Sequence, residues 1–307
     1  MPSFNELRDR IGGVRNIQQI TRAMKMVAGA RLRRAEEAIL ALRPFASRLD
    51  GMCARFLQDA TGAENRFFEQ RSSTRLAVLS IASDRGLCGS YNNRIVEAAA
   101  ELIGEHPDGE PLVLSVGKRG TDRLRVTGMA PRRSFEDAFN PVQFSTAQEI
   151  GSELQDAFLS GEADEVQVVF AEYFSPLRQL VTNRQILPCS PDILSRHIRR
   201  EAGRELPEGV TDEVESIERA ARSVYIYEPD YDDICDGLLR HNINVQVYRA
   251  LLEAQASEHG ARMMAMDNAT ENADEMIDEL TLTMNRLRQE DITKEIIDVV
   301  GGAEAMK

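Results

Sequence analysis

The sequence predicts an α/β protein in which an antiparallel coiled coil of the N- and C-terminal helices carries an inserted Rossmann-like α/β domain. Three observations predict it. Apolar residues recur at intervals of three and four over residues 229–300, a second stripe of the same spacing covers residues 4–58, and between them short apolar runs alternate with helical patterns. The implied division is 1–60 for the first helix, 72–225 for the α/β domain and 229–301 for the second helix.

In chain order, the first stripe runs Phe4, Leu7, Ile11, Val14, Ile17, Ile20, Met24 and Val27. After a slip it resumes through Ala35, Ile39, Leu42, Phe45, Leu49, Met52 and Phe56. Heptad-like spacing of this kind lays one narrow apolar edge along a helix. Pro44 predicts a kink or a break in it. Residues 59–74 contain Gly62 and have no apolar period, so they read as a connection.

Arg75–Ser83 reads as a buried parallel strand. Leu76, Ala77, Val78, Leu79 and Ile81 form a nearly unbroken apolar run, which suits a strand covered on both faces. A glycine turn, Asp84–Ser90, leads into a helix near residues 92–104. Pro111–Val116 is a second strand, followed by the turn Gly117-Lys118-Arg119-Gly120 and a short helix at 122–126. Helical spacing returns over 146–159, and 165–173 and 179–187 read as the third and fourth strands. Residues 189–222 are charged and hold Pro191, Gly203, Pro207 and Gly209, the composition of a surface excursion.

The last stripe runs Leu239, Ile243, Val247, Leu251 and Ala254, then Met266, Ala269, Ala273, Ile277, Leu280, Met284 and Leu287. Pro229 opens this helix and Gly301-Gly302 closes it. At about 1.5 Å per residue it is roughly 105 Å long, far longer than a globular domain is wide, so it projects and needs a partner for its stripe. The first helix supplies that partner, with Met24 expected beside Leu280–Leu287. Both helices share a patch of methionine and small residues, Met24–Ala30 on one and Ala261–Met266 on the other. Methionine suits a surface that fits several shapes in turn; the plain alternative is an ordinary seam with adaptable packing.

Composition narrows the function classes. No apolar run approaches 18 residues and nothing resembles a signal peptide, so a soluble or peripheral protein is expected. Cys53, Cys88, Cys189 and Cys235 are widely spaced, without a Cys-x-x-Cys pair, and read as reduced thiols. A net charge of -13 argues against a general nucleic-acid binder. Residues 1–58 hold eleven Lys and Arg against five Asp and Glu, a local balance of +6, which leaves -19 for the remainder. The first helix is therefore a basic rod. Arg8, Arg10, Arg15, Arg22, Lys25, Arg31, Arg33 and Arg34 suit an acidic protein partner, or else form a solvated face balancing acidic residues of the other helix.

A strand, a glycine turn and a helix start are also the parts of a phosphate cradle. The spacing here is Gly-x-x-Gly, lacking the third glycine of a dinucleotide fingerprint and the Gly-Lys-Ser/Thr of a P-loop. Cys88 could serve as a nucleophile, but no motif places His106, His197, His241 or His259 as its base. No intrinsic catalytic site, cofactor or metal site is expected.

Three motifs in order carry a family resemblance that spans nearly the whole chain apart from 189–222. Arg10-Ile11, Gln19–Ala28 and Arg31-Leu32-Arg33 resemble the N-terminal signature of the gamma subunits of F-type ATP synthases. Ser83–Gly89 resembles that family's central motif. Ser257-Glu258, Ala261–Met266, Ala269, Asn272-Ala273 and Asn285–Glu295 resemble its C-terminal block. Gly12-Gly13 and Ile17 depart from the usual pattern, Ile17 standing where a polar residue is common.

The resemblance implies a rotor shaft. The terminal helices form a coil inside the hexamer of alpha and beta subunits, and the α/β domain is a foot against the membrane c-subunit ring and the epsilon subunit. Catalysis lies on the beta subunits, and rotation couples proton flow to ATP synthesis or hydrolysis. It implies a peripheral protein on the cytoplasmic face of the bacterial plasma membrane, with no nucleic acid and no direct small-molecule substrate. It also implies subunit-contact roles for Met24 and Lys25 against an acidic beta lever, for Asp84, Arg85, Gly86 and Cys88 nearby, and for Arg262, Arg288, Gln289 and Thr293 as polar catches. Two other classes stand beside it: a nucleotide-binding enzyme using Gly86–Gly89, and a free-standing coiled-coil adaptor for acidic partners.

Overall fold

The computed structural model describes residues 4–59, 66–71, 75–106, 109–190 and 231–305. Expectations for Pro229 and for residues 191–222 lie outside the described residues. Helix α1 (Phe4–Asp59) and strand β1 (Leu76–Ile81) are followed by α2 (Tyr91–Gly104), β2 (Leu112–Val116), α3 (Lys118–Val126) and β3 (Arg133–Phe135). Then come α4 (Phe144–Leu159), β4 (Glu165–Ser175), β5 (Arg178–Leu187) and the long helix α5 (Tyr231–Ala305). The chain divides into two compact units, residues 1–29 with 262–307, and residues 30–261.

In the larger unit the strands form one sheet in the order β3-β2-β1-β4-β5. β1 pairs in parallel with β2 and β4, β2 pairs in parallel with β3, and β4 pairs antiparallel with β5. The unbroken apolar character of β1 follows from burial on both faces. Leu76 and Val78 pack with Tyr91, Ile95, Ala99 and Leu102 around α2. Ala77, Leu79 and Ile81 join the main core with Ala46 and Leu49 of α1, Ile150, Leu154 and Phe158 of α4, and Leu239, Ile243, Val247 and Leu251 of α5. Each face of that strand thus has its own apolar cover, which is why no polar alternation appears in the sequence.

Several expectations are corrected. The residues read as a turn at 117–120 begin a helix, since α3 starts at Lys118. Gly117 is the residue the turn requires: its φ is +89°, and a Cβ there would lie 2.4 Å from the Ala82 carbonyl oxygen. The short strand β3 escaped notice because three residues show no period. Pro44 does not break α1. Gly301-Gly302 does not close α5, which runs on to Ala305, because two glycines weaken a helix without forbidding it.

In the smaller unit, Gln18 donates to Asp274, Lys25 pairs with Asp267, and the hydroxyl oxygens of Thr21 and Thr270 lie 2.8 Å apart. The two residue numbers of each pair sum to 291 or 292, so the helices are antiparallel and Met24 lies level with residues 267–268. Leu280–Leu287, where it was expected, lie more than three turns further on. An apolar stripe that repeats every seven residues looks alike in many registers; the polar pairs choose among them.

The seam follows the stripe read in the sequence through Leu7, Ile11 and Val14, and beyond Val14 runs one residue away from it. Leu7, Ile11, Thr21 and Ala28 are buried and Val14, Gln18 and Lys25 half-buried, a strict three-four alternation. Ile17, Ile20 and Val27 are instead 56%, 59% and 54% exposed. A reading that counts only apolar residues slides off the seam wherever the seam is polar.

Candidate functional site

The loop after β1 is held from three directions. One Asp84 carboxylate oxygen accepts from the backbone N–H of Lys118 at 3.0 Å and of Asp137 at 3.2 Å. This ties the loop to the start of α3 and to the segment after β3. The Ser83 N–H donates to Asn92 Oδ1 at 2.9 Å, and the Ser83 hydroxyl donates to the Arg85 carbonyl at 2.7 Å. Leu87 and Gly89 take left-handed φ values of +64° and +59°. The result is a fixed ledge on which Arg85 and Leu87 are exposed.

Cys88 faces inward. It is 2% exposed, and the Asn92 side-chain amide donates to its sulfur at 3.3 Å. Three described histidines take other places: His106 is bonded to the Leu102 carbonyl, His241 lies edge-on to Phe45 and Phe144, and His259 lines a cleft. A Cβ at Gly86 would meet nothing within 4 Å, so that glycine answers to no close approach within the chain itself. Among the described residues no group of three His, Cys, Asp or Glu is placed to hold a metal ion.

The cleft, of about 380 Å³, is in the larger unit. Arg31 and Arg34 of α1 flank it, the 139–142 segment forms one wall, and Tyr248, Leu252, Gln255 and His259 of α5 form another. No carboxylate lines it, so its charge is cationic. Gln255 donates to the Phe139 carbonyl at 2.8 Å and holds that wall in place.

The remaining predicted residues are on the terminal helices. Met24 is half-buried, and Lys25 already has an acidic partner in Asp267. Arg262 is 8% exposed, an inward residue of α5, whereas Arg288, Gln289 and Thr293 are exposed. The Thr293 hydroxyl donates to the Gln289 carbonyl at 2.8 Å, leaving the Arg288 and Gln289 side chains pointing outward on that stretch. Every described residue from Arg288 to Val300 is exposed, Ile292, Ile296, Ile297 and Val299 included. The structure therefore distributes the predicted residues over two units: Asp84–Cys88 belong to the larger, the others to the smaller.

One polar cluster escaped the sequence reading. Asp50, 1% exposed, accepts from Asn242 at 2.8 Å and from Gln246 at 2.7 Å. Nearby, Arg184 pairs with Glu172 and Arg249 with Glu253, all four buried. Burial raises the Asp50 pKa against the opposing pull of Asn242, Arg249, Arg184 and Gln246. Burial also raises the pKa values of Cys53 and Cys189, the latter to about 12, so these thiols stay protonated and unreactive. The four cysteines are buried and form no disulfide. A charge flanked by apolar positions on α1 was the available signal for Asp50, but its partners come from α5 and β5, beyond any local pattern.

With this geometry in hand, the chain can be set beside known proteins. The family model described as ATP synthase matches residues 3–306. The ATP synthase gamma chain of Cytophaga hutchinsonii is 39% identical over 315 residues, covering 100% of this chain and 99% of that one. The ATP synthase gamma chain of Chlorobaculum parvum is 36% identical, with both chains covered in full. Among solved structures, a chain of the Euglena gracilis mitochondrial ATP synthase, OSCP/F1/c-ring in rotational state 3, aligns with a TM-score of 0.65 at 21% identity, over 99% of this chain and 94% of that one. A chain of the Tetrahymena thermophila mitochondrial ATP synthase central stalk and c-ring aligns at 0.58 and 24% identity, over 81% and 99%. These structural likenesses concern the fold.

Proposed function

The chain belongs to the ATP synthase family as a gamma chain, and from that premise we propose that it is the central rotor shaft of an F-type synthase. It couples proton flow through the membrane c-subunit ring to ATP synthesis or hydrolysis on the beta subunits. The observation that carries the reading is the pairing of full-length gamma-chain similarity with a long antiparallel helix pair whose far end is exposed.

The shaft itself carries no catalytic site. The inward Cys88, tied to Asn92, supports this, as does a glycine turn with neither phosphate fingerprint. Its partners are the alpha and beta hexamer, the epsilon subunit and the c-ring, with residues 72–225 as the foot. The cationic cleft at Arg31 and Arg34 and the basic balance of α1 favour acidic partner segments. Met24, Lys25, Asp84, Arg85, Gly86, Cys88, Arg262, Arg288, Gln289 and Thr293 are the proposed contact set. Arg85 and the outward Arg288 and Gln289 reach partners directly; Asp84, Cys88 and Arg262 hold their segments in place. Among the described residues no helix is long and apolar enough to cross a membrane. The chain acts peripherally, at the cytoplasmic face of the bacterial plasma membrane.

The test is affinity purification of the tagged chain from its own cells, with ATPase assay of the product. Co-purification of alpha and beta subunits in an active complex is expected. A chain that emerges alone, or binds ATP by itself at micromolar affinity, would overturn the reading.

A further inference from the structure

The sequence of α1 leaves a space beside α5. Residues 31, 34, 35 and 38 share one face of α1, and that face carries Arg31 and Arg34 next to Ala35 and Ala38. Residues 248, 252, 255 and 259 share one face of α5 and line the same cleft. Alanine methyls fill little of the room between two helices. A cavity of about 380 Å³ remains, within the range of small-molecule sites, on the order of 300–1,000 Å³.

The walls of this cavity are fixed in advance. The Phe139 carbonyl is held by Gln255 at 2.8 Å, and the N–H of Asp137, two residues earlier, by Asp84 at 3.2 Å. Tyr248 lies edge-on to Phe144, their ring centres 5.5 Å apart. Ala35, Phe139 and Leu252 are buried and make the inner surface apolar. The charge is at the rim, where Arg31 and Arg34 are exposed and form no ion pair with a carboxylate among the described residues. The helix start that usually takes an anion in an α/β layer is, by contrast, filled from within: the Asp84 carboxylate accepts from the Lys118 N–H at the head of α3.

We propose that the cleft binds an amphiphilic organic anion, an aryl carboxylate or sulfonate whose ring enters between α1 and α5 while its charged group rests on Arg31 and Arg34. A guanidinium is planar and pairs with two oxygens of such a group at once. The ring removes the apolar inner surface from water, and walls already in place lose little freedom when it enters. Inorganic phosphate would meet the arginines and leave that surface wet. An uncharged ring would do the reverse. An acidic peptide segment, which suits the outer faces of the same arginines under the rotor reading, needs no enclosed apolar cavity behind them. The ligand site is a property of the chain by itself, so it stands or falls apart from that reading.

The experiment is calorimetric titration of the full-length chain with 2-naphthoate, with its uncharged counterpart 2-naphthamide and with inorganic phosphate. Saturable binding of 2-naphthoate is expected, one molecule per chain, with 2-naphthamide at least tenfold weaker and no detectable heat from phosphate. Two variants then separate charge from space. Arg31→Gln/Arg34→Gln changes exposed residues alone and is expected to weaken 2-naphthoate at least tenfold. Ala38→Trp keeps both arginines, fills the cavity and is expected to abolish binding; Ala38→Leu, a milder filling, is read beside it should the larger change disturb the fold. No binding of 2-naphthoate to the parent would overturn the site. Unchanged affinity in the arginine and filled variants would do the same, by placing the probe on apolar residues elsewhere. Displacement of 2-naphthoate by phosphate would overturn the ligand class, leaving an effect of charge alone. A peptide of alternating glutamate and leucine that binds the parent where 2-naphthoate does not would overturn it as well and give the cleft to a protein partner.

Discussion

Asp50 shows how a single buried carboxyl makes stability depend on pH. The surrounding charges are Arg184, Arg249, Glu172 and Glu253, which cancel in pairs, and the nearby thiols Cys53, Cys189 and Cys235, of which Cys53 and Cys189 are held protonated. With Asp50 protonated the network is neutral; ionised, it buries an uncompensated negative charge. The folded-state pKa therefore stands above the ordinary 3.8, and the folded state binds the proton more tightly than the unfolded chain does. The stability it contributes is complete below pH 3.8 and lost as pH rises through the folded pKa. Asp50→Asn removes this titration while keeping an acceptor for Asn242 and Gln246. Thermal unfolding followed from pH 4 upward is expected to show a shallower decline for the variant than for the parent. Parallel curves would mean that the carboxyl is ionised in the fold despite its burial.

Elements differ in how plainly they could be read from sequence, and the reason is the range of the forces that shape them. β1, β2 and β4 were evident because a buried strand writes its environment into consecutive residues, and α4 because it has a full helical period. The antiparallel direction of β5 and the existence of β3 depend on neighbours, and no local pattern reports them. The seam of α1 failed for a different reason: Gln18, Thr21 and Lys25 fill apolar positions, so a search for apolar residues chose Ile17, Ile20 and Val27. At the far end of α5 the apolar residues Ile292, Ile296, Ile297 and Val299 have no cover among the described residues. The register places Leu287 level with the first turn of α1, so the stretch from Arg288 onward extends past its partner helix. Truncation after Leu287 is accordingly expected to change the stability of the isolated chain by less than about 1 kcal/mol, as measured by chemical unfolding, because every described side chain that it removes is exposed. A larger loss would show that these residues pack within the chain.

For the whole molecule, function was legible in motifs and not in fold chemistry, because a shaft works through surfaces whose partners are other chains. The α/β layer alone suggests a nucleotide site, and the glycine turn at Gly86–Gly89 invites that reading; the mechanical use proposed for the turn rests instead on the inward, amide-bonded Cys88 and the fixed, outward Arg85 and Leu87. The two assignments predict opposite mutants. Arg288 and Gln289 are adjacent on an exposed helical stretch, where one lost charged hydrogen bond to a partner loop is worth about 1.5–3 kcal/mol. Replacing both with Ala should leave the isolated chain folded, since neither side chain is buried, and lower proton-driven ATP synthesis by the reconstituted complex roughly tenfold or more. Cys88→Ser keeps a small acceptor for Asn92 and should leave turnover largely intact. Both rates are measured in the same vesicles, with ATP hydrolysis recorded alongside synthesis. Loss of turnover from Cys88→Ser, with the Arg288 and Gln289 double variant unaffected, would move the working part of the molecule from the end of α5 to the loop after β1.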